Sequence, residues 1–222
     1  MLNFPPSDLA DSDSTNNYFS LLGVCYNPSE DHFSFKIKLD EFEKPITKRM
    51  VVSSISKLFD PLGWLAPVIV IAKILIQKLW LAGLKWEDVL PDDLKFLDWY
   101  SSLPILNEIK VPRWLGYTPN DKYDIFGFAD ASLKAYAACV YLKVTVNGNS
   151  TIRLLQGKSK VSPIKPLLTI PKLELEAAFL LSKLTAKVLK LLRLPSVNIY
   201  LFSDSIMPFL GLSNILQNSR FL

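Results

Sequence analysis

The chain has 222 residues, half of them hydrophobic, with 25 basic and 21 acidic side chains. That is enough apolar material for one large domain or two small ones, and a net charge of +4 is too slight to argue for nucleic acid by itself. A single histidine, His32, excludes a multi-histidine metal site and argues against a Ser-His-Asp triad, while two distant cysteines, Cys25 and Cys139, read as core residues of a reducing compartment. Met1 to Asn17 is polar and reads as a disordered lead-in, without the basic-then-apolar pattern of a secretion signal. Tyr18 to Tyr26 and His32 to Leu39 are two strand-like runs around an Asn-Pro-Ser-Glu-Asp turn, which predicts a β-hairpin over 18–45 that must pack on something else. Thr47 opens a helical section, 46–117. A first helix ends at Asp60-Pro61-Leu62-Gly63, a second runs from about Pro67 to Trp80, and a third runs from Asp92, with Asp92 or Asp93 as its cap, to Leu103. The longest apolar run, Leu62 to Ala72, is too short to span a bilayer. The expected location is intracellular, in cytoplasm or nucleus, with no membrane partner.

Gly116 to Lys122 reads as the linker to a second domain, 121–222. Tyr123 to Asp130 and Ala135 to Val144 are predicted strands about a short break, and Asn147-Gly148-Asn149 turns into a third strand, Thr151 to Gly157. Lys158 to Leu168 reads as irregular. A long helix opens at Pro171 and keeps Leu173, Ala177, Leu180, Leu181, Leu184, Val188 and Leu191 on one face. Val197 to Phe202 is a compact apolar run that predicts a central buried strand, and a short helical tail is expected after it. The fold class is α+β or α/β, with the second domain ordered as three strands, helix, strand, helix.

From Thr151 to Leu222 ten basic residues face only three acidic ones, Glu174, Glu176 and Asp204. Asp130 and Asp204 each end an apolar strand, and Glu174 is placed in the first turn of the long helix. Strand ends and a helix start can bring three carboxylates into one pocket, and hard cations such as Mg²⁺ relieve their repulsion. Paired ions of this kind cut phosphodiesters. Taken singly, each aspartate could instead cap a turn or helix, and Glu174 could complement a helix N-terminus. Lys183, Lys187 and Lys190 read as a solvated face, Lys48 and Arg49 as a surface pair, and the five tryptophans as core or subunit contacts.

FADAS around Asp130, IPKLELEAA around Glu174 and LFSDS around Asp204 resemble the ribonuclease H domain of BEL/Pao-type retrotransposon polyproteins, a region often labelled a Pao retrotransposon peptidase. LLGVCYNPSEDHFSFKI resembles the hairpin that closes a reverse-transcriptase palm. KRMVVSSISKLFDPLGWLAPVIVIAKILIQKLW resembles the thumb/connection segment after it, and its FDPLG is the most family-specific motif. The resemblance implies a hairpin and helical segment followed by a truncated ribonuclease H-like mixed sheet. It implies Asp130, Glu174 and Asp204 as catalytic residues and metal ligands, Mg²⁺ or Mn²⁺ as cofactor, and an RNA–DNA hybrid and the rest of the reverse transcriptase as partners. The family's fourth acid would lie beyond Leu222, so hydrolysis is expected to be impaired. No Tyr-x-Asp-Asp polymerase signature occurs. Two other readings stay open, an inert nucleic-acid-binding or scaffold fragment and an aspartic peptidase. The second is the weaker, because no Asp-Thr-Gly or Asp-Ser-Gly triplet is present.

Overall fold

Thr47 lies at the start of the first helix, where its extended backbone lets the side-chain oxygen accept the N–H of Met50. The structure is a computed structural model that describes residues 19–21, 24–42, 44–91, 95–116, 118, 121–193 and 197–205. The lead-in 1–17, the Asp92/Asp93 cap, Leu194-Pro195 and the helical tail expected after Ser205 fall outside these residues. Two compact units emerge. One holds the described residues up to Asp60 with Lys78–Trp114, and the other holds Pro61–Gln77 with the described residues from Leu115 onward. The helical section is therefore divided between them.

In the first unit β1 (Phe19–Leu21), β2 (Val24–Asn27), β3 (His32–Phe35) and β4 (Lys110–Pro112) form an antiparallel sheet in that order. The run Tyr18 to Tyr26 is not one strand. It folds back on itself, pairing Leu21 with Val24. The β2–β3 turn is held by the Asn27 side chain, which accepts the N–H groups of Ser29 and Glu30, and by Asp31 at φ +50°. The partner that the hairpin required is supplied from within the chain, by β4 against β3. Helix α1 (Lys48–Ser56) and the short α3 (Phe96–Ser102) follow the predicted positions. Lys48 is no surface residue. It is 1% exposed, and its Nζ donates to the Leu84 carbonyl at 2.6 Å while sitting 3.3 Å from the Trp80 ring centroid, with Trp86 at 5.6 Å. Only Arg49 behaves as predicted, pairing with Glu87 at the surface.

The second unit is built on a sheet ordered β7-β6-β5-β8. β5 (Lys122–Ala131), β6 (Ala135–Val146) and β7 (Asn149–Val161) form an antiparallel meander. Helix α4 (Ile170–Leu192) then returns the chain so that β8 (Asn198–Ser203) runs parallel to β5. Asn147 and Gly148, both at positive φ, make the predicted tight turn between β6 and β7. β7 extends through Lys158–Val161, the stretch expected to be irregular, because each residue there still finds a partner on β6. β8 is the last strand of the sheet among the described residues, not a central one, and Tyr200 and Phe202 are exposed. A wholly apolar run here marks a strand whose two faces both carry hydrophobic residues, one under α4 and one on an open face.

Alternation along β5 sorts the faces. Tyr123, Ile125, Gly127 and Ala129 pack beneath α4 with Leu173, Ala177, Leu181 and Leu184, while Phe126, Phe128 and Asp130 point to the other side. Gly127 lets the helix approach closely, since a Cβ there would lie 2.7 Å from both Leu181 and Leu201. Within this core the Thr185 hydroxyl is fully buried and has no hydrogen-bond partner. Thr185→Val keeps the shape and removes the orphan, so it is expected to raise stability by about 1 kcal/mol, read as a higher urea midpoint; an unchanged or lowered midpoint would refute it.

The second face is covered in part by the chain from Pro61 to Gln77, including the first three turns of α2 (Ala66–Leu81). Leu62 accepts the N–H of Gly157 at 2.8 Å, Lys73 Nζ donates to the Ser159 carbonyl at 2.8 Å, and Gln77 Nε2 to that of Ser162 at 2.6 Å. Gly63 and Gly157 meet backbone to backbone. The FDPLG turn thus does more than break a helix. It seats the following helix on the outer strand.

Candidate metal centre

Asp130 and Asp204 come together because β5 and β8 are parallel neighbours in register. Ala129 pairs with Ser203, and the next residue on each chain is the aspartate. Adjacent strands lie about 4.8 Å apart, so the two carboxylates leave the same end of the sheet side by side. Both are exposed, and both line a cavity of about 600 Å³ on the face away from α4. Asp130 Oδ1 accepts the N–H of Ala131 at 2.7 Å, which fixes one of its oxygens.

Glu174 lies elsewhere. Helix α4 begins at Ile170, so Glu174 falls in its second turn, not its first, and no acid occupies the first turn. The helix starts near the end of the sheet that carries Asp130, because β7 leaves beside the start of β6. It nevertheless packs on the opposite face, and Glu174 is half-buried there and does not line the cavity. Glu176 is exposed. The three-carboxylate convergence expected from sequence is present for two members. Among the described residues no group of three His, Cys, Asp or Glu side chains is placed to hold a metal ion.

The cavity has one polar end and an apolar body. Phe128 and Phe202 stand one pleat below Asp130 and Asp204, their rings stacked with centroids 5.2 Å apart, and Phe126 stacks on Tyr200 at 5.1 Å. Trp64, Pro67 and Val70 line the cavity as well. Cys139 and Tyr141 line it too, and burial pushes both the thiol and the phenol above their ordinary pKa values. Sequence reading missed these aromatics as site residues. The signal was available, since Phe128 and Phe202 each precede an aspartate by two positions. It also passed over Asp124, which is buried on the same face at the far end of β5, accepts from Asn198 at 2.9 Å and lies 3.9 Å from Lys143. That carboxylate is satisfied locally. Lys183, Lys187 and Lys190 form the solvated face that was predicted. Among the described residues no helix is long and apolar enough to cross a membrane.

The family described as the Pao retrotransposon-like RNaseH-like domain matches residues 47–205. No curated protein matches the chain. Among solved structures, the foamy viral protease-reverse transcriptase dRH in complex with double-stranded DNA is similar in fold, with a TM-score of 0.50 at 13% identity. The match covers 91% of this chain and 35% of that one, so the chain spans about a third of its length. The foamy viral protease-reverse transcriptase in complex with double-stranded DNA aligns over 91% of this chain and 42% of its own at 13% identity, but its TM-score of 0.27 carries no argument.

Proposed function

Because the chain belongs to the Pao retrotransposon-like RNaseH-like domain family, we propose that it is a segment of a retrotransposon polyprotein whose ribonuclease H-like unit binds a divalent cation through Asp130 and Asp204 and engages an RNA–DNA hybrid. The observation that carries this reading is the placement of two carboxylates, side by side on parallel strands, at the mouth of one cavity. Two carboxylates suit Mg²⁺, which commonly takes one or two of them, keeps several waters and completes its shell with substrate phosphate. The donor set is all oxygen, which favours Mg²⁺ or Mn²⁺ over softer metals. When bound, such a cation supplies charge stabilisation at a phosphoryl oxygen and an activated water. The chain's own share is to fix the two carboxylates in register and to hold Asp130 Oδ1 with the Ala131 N–H.

A second reading, a nucleic-acid-binding scaffold that does not turn over, is favoured by the position of Glu174 outside the cavity. The two readings separate in one titration. Mn²⁺ binding followed by electron paramagnetic resonance is expected for the wild-type chain, with affinity falling about tenfold or more in Asp130→Asn and in Asp204→Asn. Cleavage of a labelled hybrid in the same Mn²⁺ would support the nuclease, and hybrid binding with the RNA intact would support the scaffold. If both asparagine variants bind Mn²⁺ as the wild type does, the metal centre is elsewhere or nowhere. Glu174→Gln shows whether the helical glutamate contributes a ligand: a loss like that of Asp130→Asn means that it does.

A further inference from the structure

The cavity is larger and greasier than a hydrated cation needs. A metal-only site would be served by the two aspartates and solvent. Here the same face continues from the aspartates into stacked rings, with Phe128 and Phe202 44% and 46% exposed toward open space. Two residues along a strand advance about 7 Å, so the rings lie one pleat from the carboxylates, a span that the sugar of a single nucleotide bridges. A volume of about 600 Å³ falls in the range of small-ligand sites. The Tyr141 hydroxyl and the Ser159 side chain, both on cavity-lining residues, offer hydrogen-bonding groups to the edge of a planar ligand.

Resting on the metal reading above, we propose that the cavity is a base pocket: it takes the nucleobase of the nucleotide whose phosphate meets the cation at Asp130 and Asp204, and stacks that base on the Phe128–Phe202 pair. A flat aromatic face is sequence-tolerant, because every base has a π-face to offer. The base must leave its own stack to enter, so the preferred substrate is a strand that is single or splayed at the contacted nucleotide, not a continuous duplex. Bases stacked on sheet aromatics are a general device of proteins that read single strands.

The test compares two small probes on the full chain in Mn²⁺, uridine 5′-monophosphate and ribose 5-phosphate, by isothermal titration calorimetry. They share the phosphate and sugar and differ in the base. The nucleotide is expected to bind about tenfold more tightly, and the double variant Phe128→Leu/Phe202→Leu is expected to bind the two probes alike while keeping the wild-type affinity for Mn²⁺. Equal affinities in the wild type, with Mn²⁺ bound, would overturn the base pocket and leave the metal reading standing. This arm needs no variant, so it decides even if the double variant misfolds. A preference that survives in a folded double variant would place the base elsewhere and overturn the assignment to these rings. Failure of the wild type to bind Mn²⁺ would overturn the metal reading and this proposal together, and the Mn²⁺ titration alone identifies that case.

Discussion

Replacing Gly63 with alanine is expected to destabilise the second unit by about 3 kcal/mol, the largest single loss of those considered. Two costs combine. Gly63 has φ +74°, where an L-residue pays about 1 kcal/mol. An alanine Cβ would also lie 1.8 Å from the carbonyl oxygen of Gly157 and 2.4 Å from its carbon. Those are backbone atoms of a strand, which cannot swing aside like a side chain, so the turn must lift. Lifting removes the Leu62–Gly157 hydrogen bond and loosens the Lys73 and Gln77 contacts beyond it. Gly83→Ala is the matched control, since Gly83 has φ +67° and nothing within 4 Å of the added Cβ. The readout is hydrogen exchange at the Gly157 amide together with the urea midpoint. Equal losses for the two variants would mean that the close approach contributes nothing.

Lys48→Ala is expected to cost the first unit about 3 kcal/mol. The ammonium is shielded by Trp80 and Trp86 and donates to Leu84, so truncation empties the space between the rings, leaves the Leu84 carbonyl short of a donor and removes a desolvated cation–π contact. Lys48→Met retains the stem and relieves the cost of burying a charge, so it is expected to lose less than half as much. Chemical denaturation of the pair gives the comparison. An alanine variant within about 0.5 kcal/mol of wild type would show that the rings hold together without the lysine.

Much of the second unit was legible because its signals are local. Asn147-Gly148 fixes a hairpin, alternation fixes the faces of β5 and β6, and a helical stripe from Leu173 to Val188 fixes α4. What was missed depends on contacts remote along the chain. Lys48 looks like any surface lysine until Trp80 and Trp86 are seen around it. Asp60-Pro61-Leu62-Gly63 has the composition of a helix break, and only its docking on Gly157 reveals a second role. VNIYLF was assigned to a buried centre because an apolar run does not say how many neighbours a strand has. The candidate site was legible to the same extent. Strand-terminal aspartates are a local pattern, and parallel register then sets Asp130 beside Asp204. The start of α4 at Ile170, one turn earlier than Glu174 required, follows from tertiary packing that composition does not encode.

The two margins of the β7-β6-β5-β8 sheet are unequal. On β7 the amide of Gly157 and the carbonyls of Ser159 and Ser162 are already engaged by the chain between Leu62 and Gln77. On β8 the outward row of backbone groups has no strand beside it among the described residues. Any additional ribbon, from this polypeptide or from another, can therefore be zipped on from one flank only, and the sheet grows in a single direction.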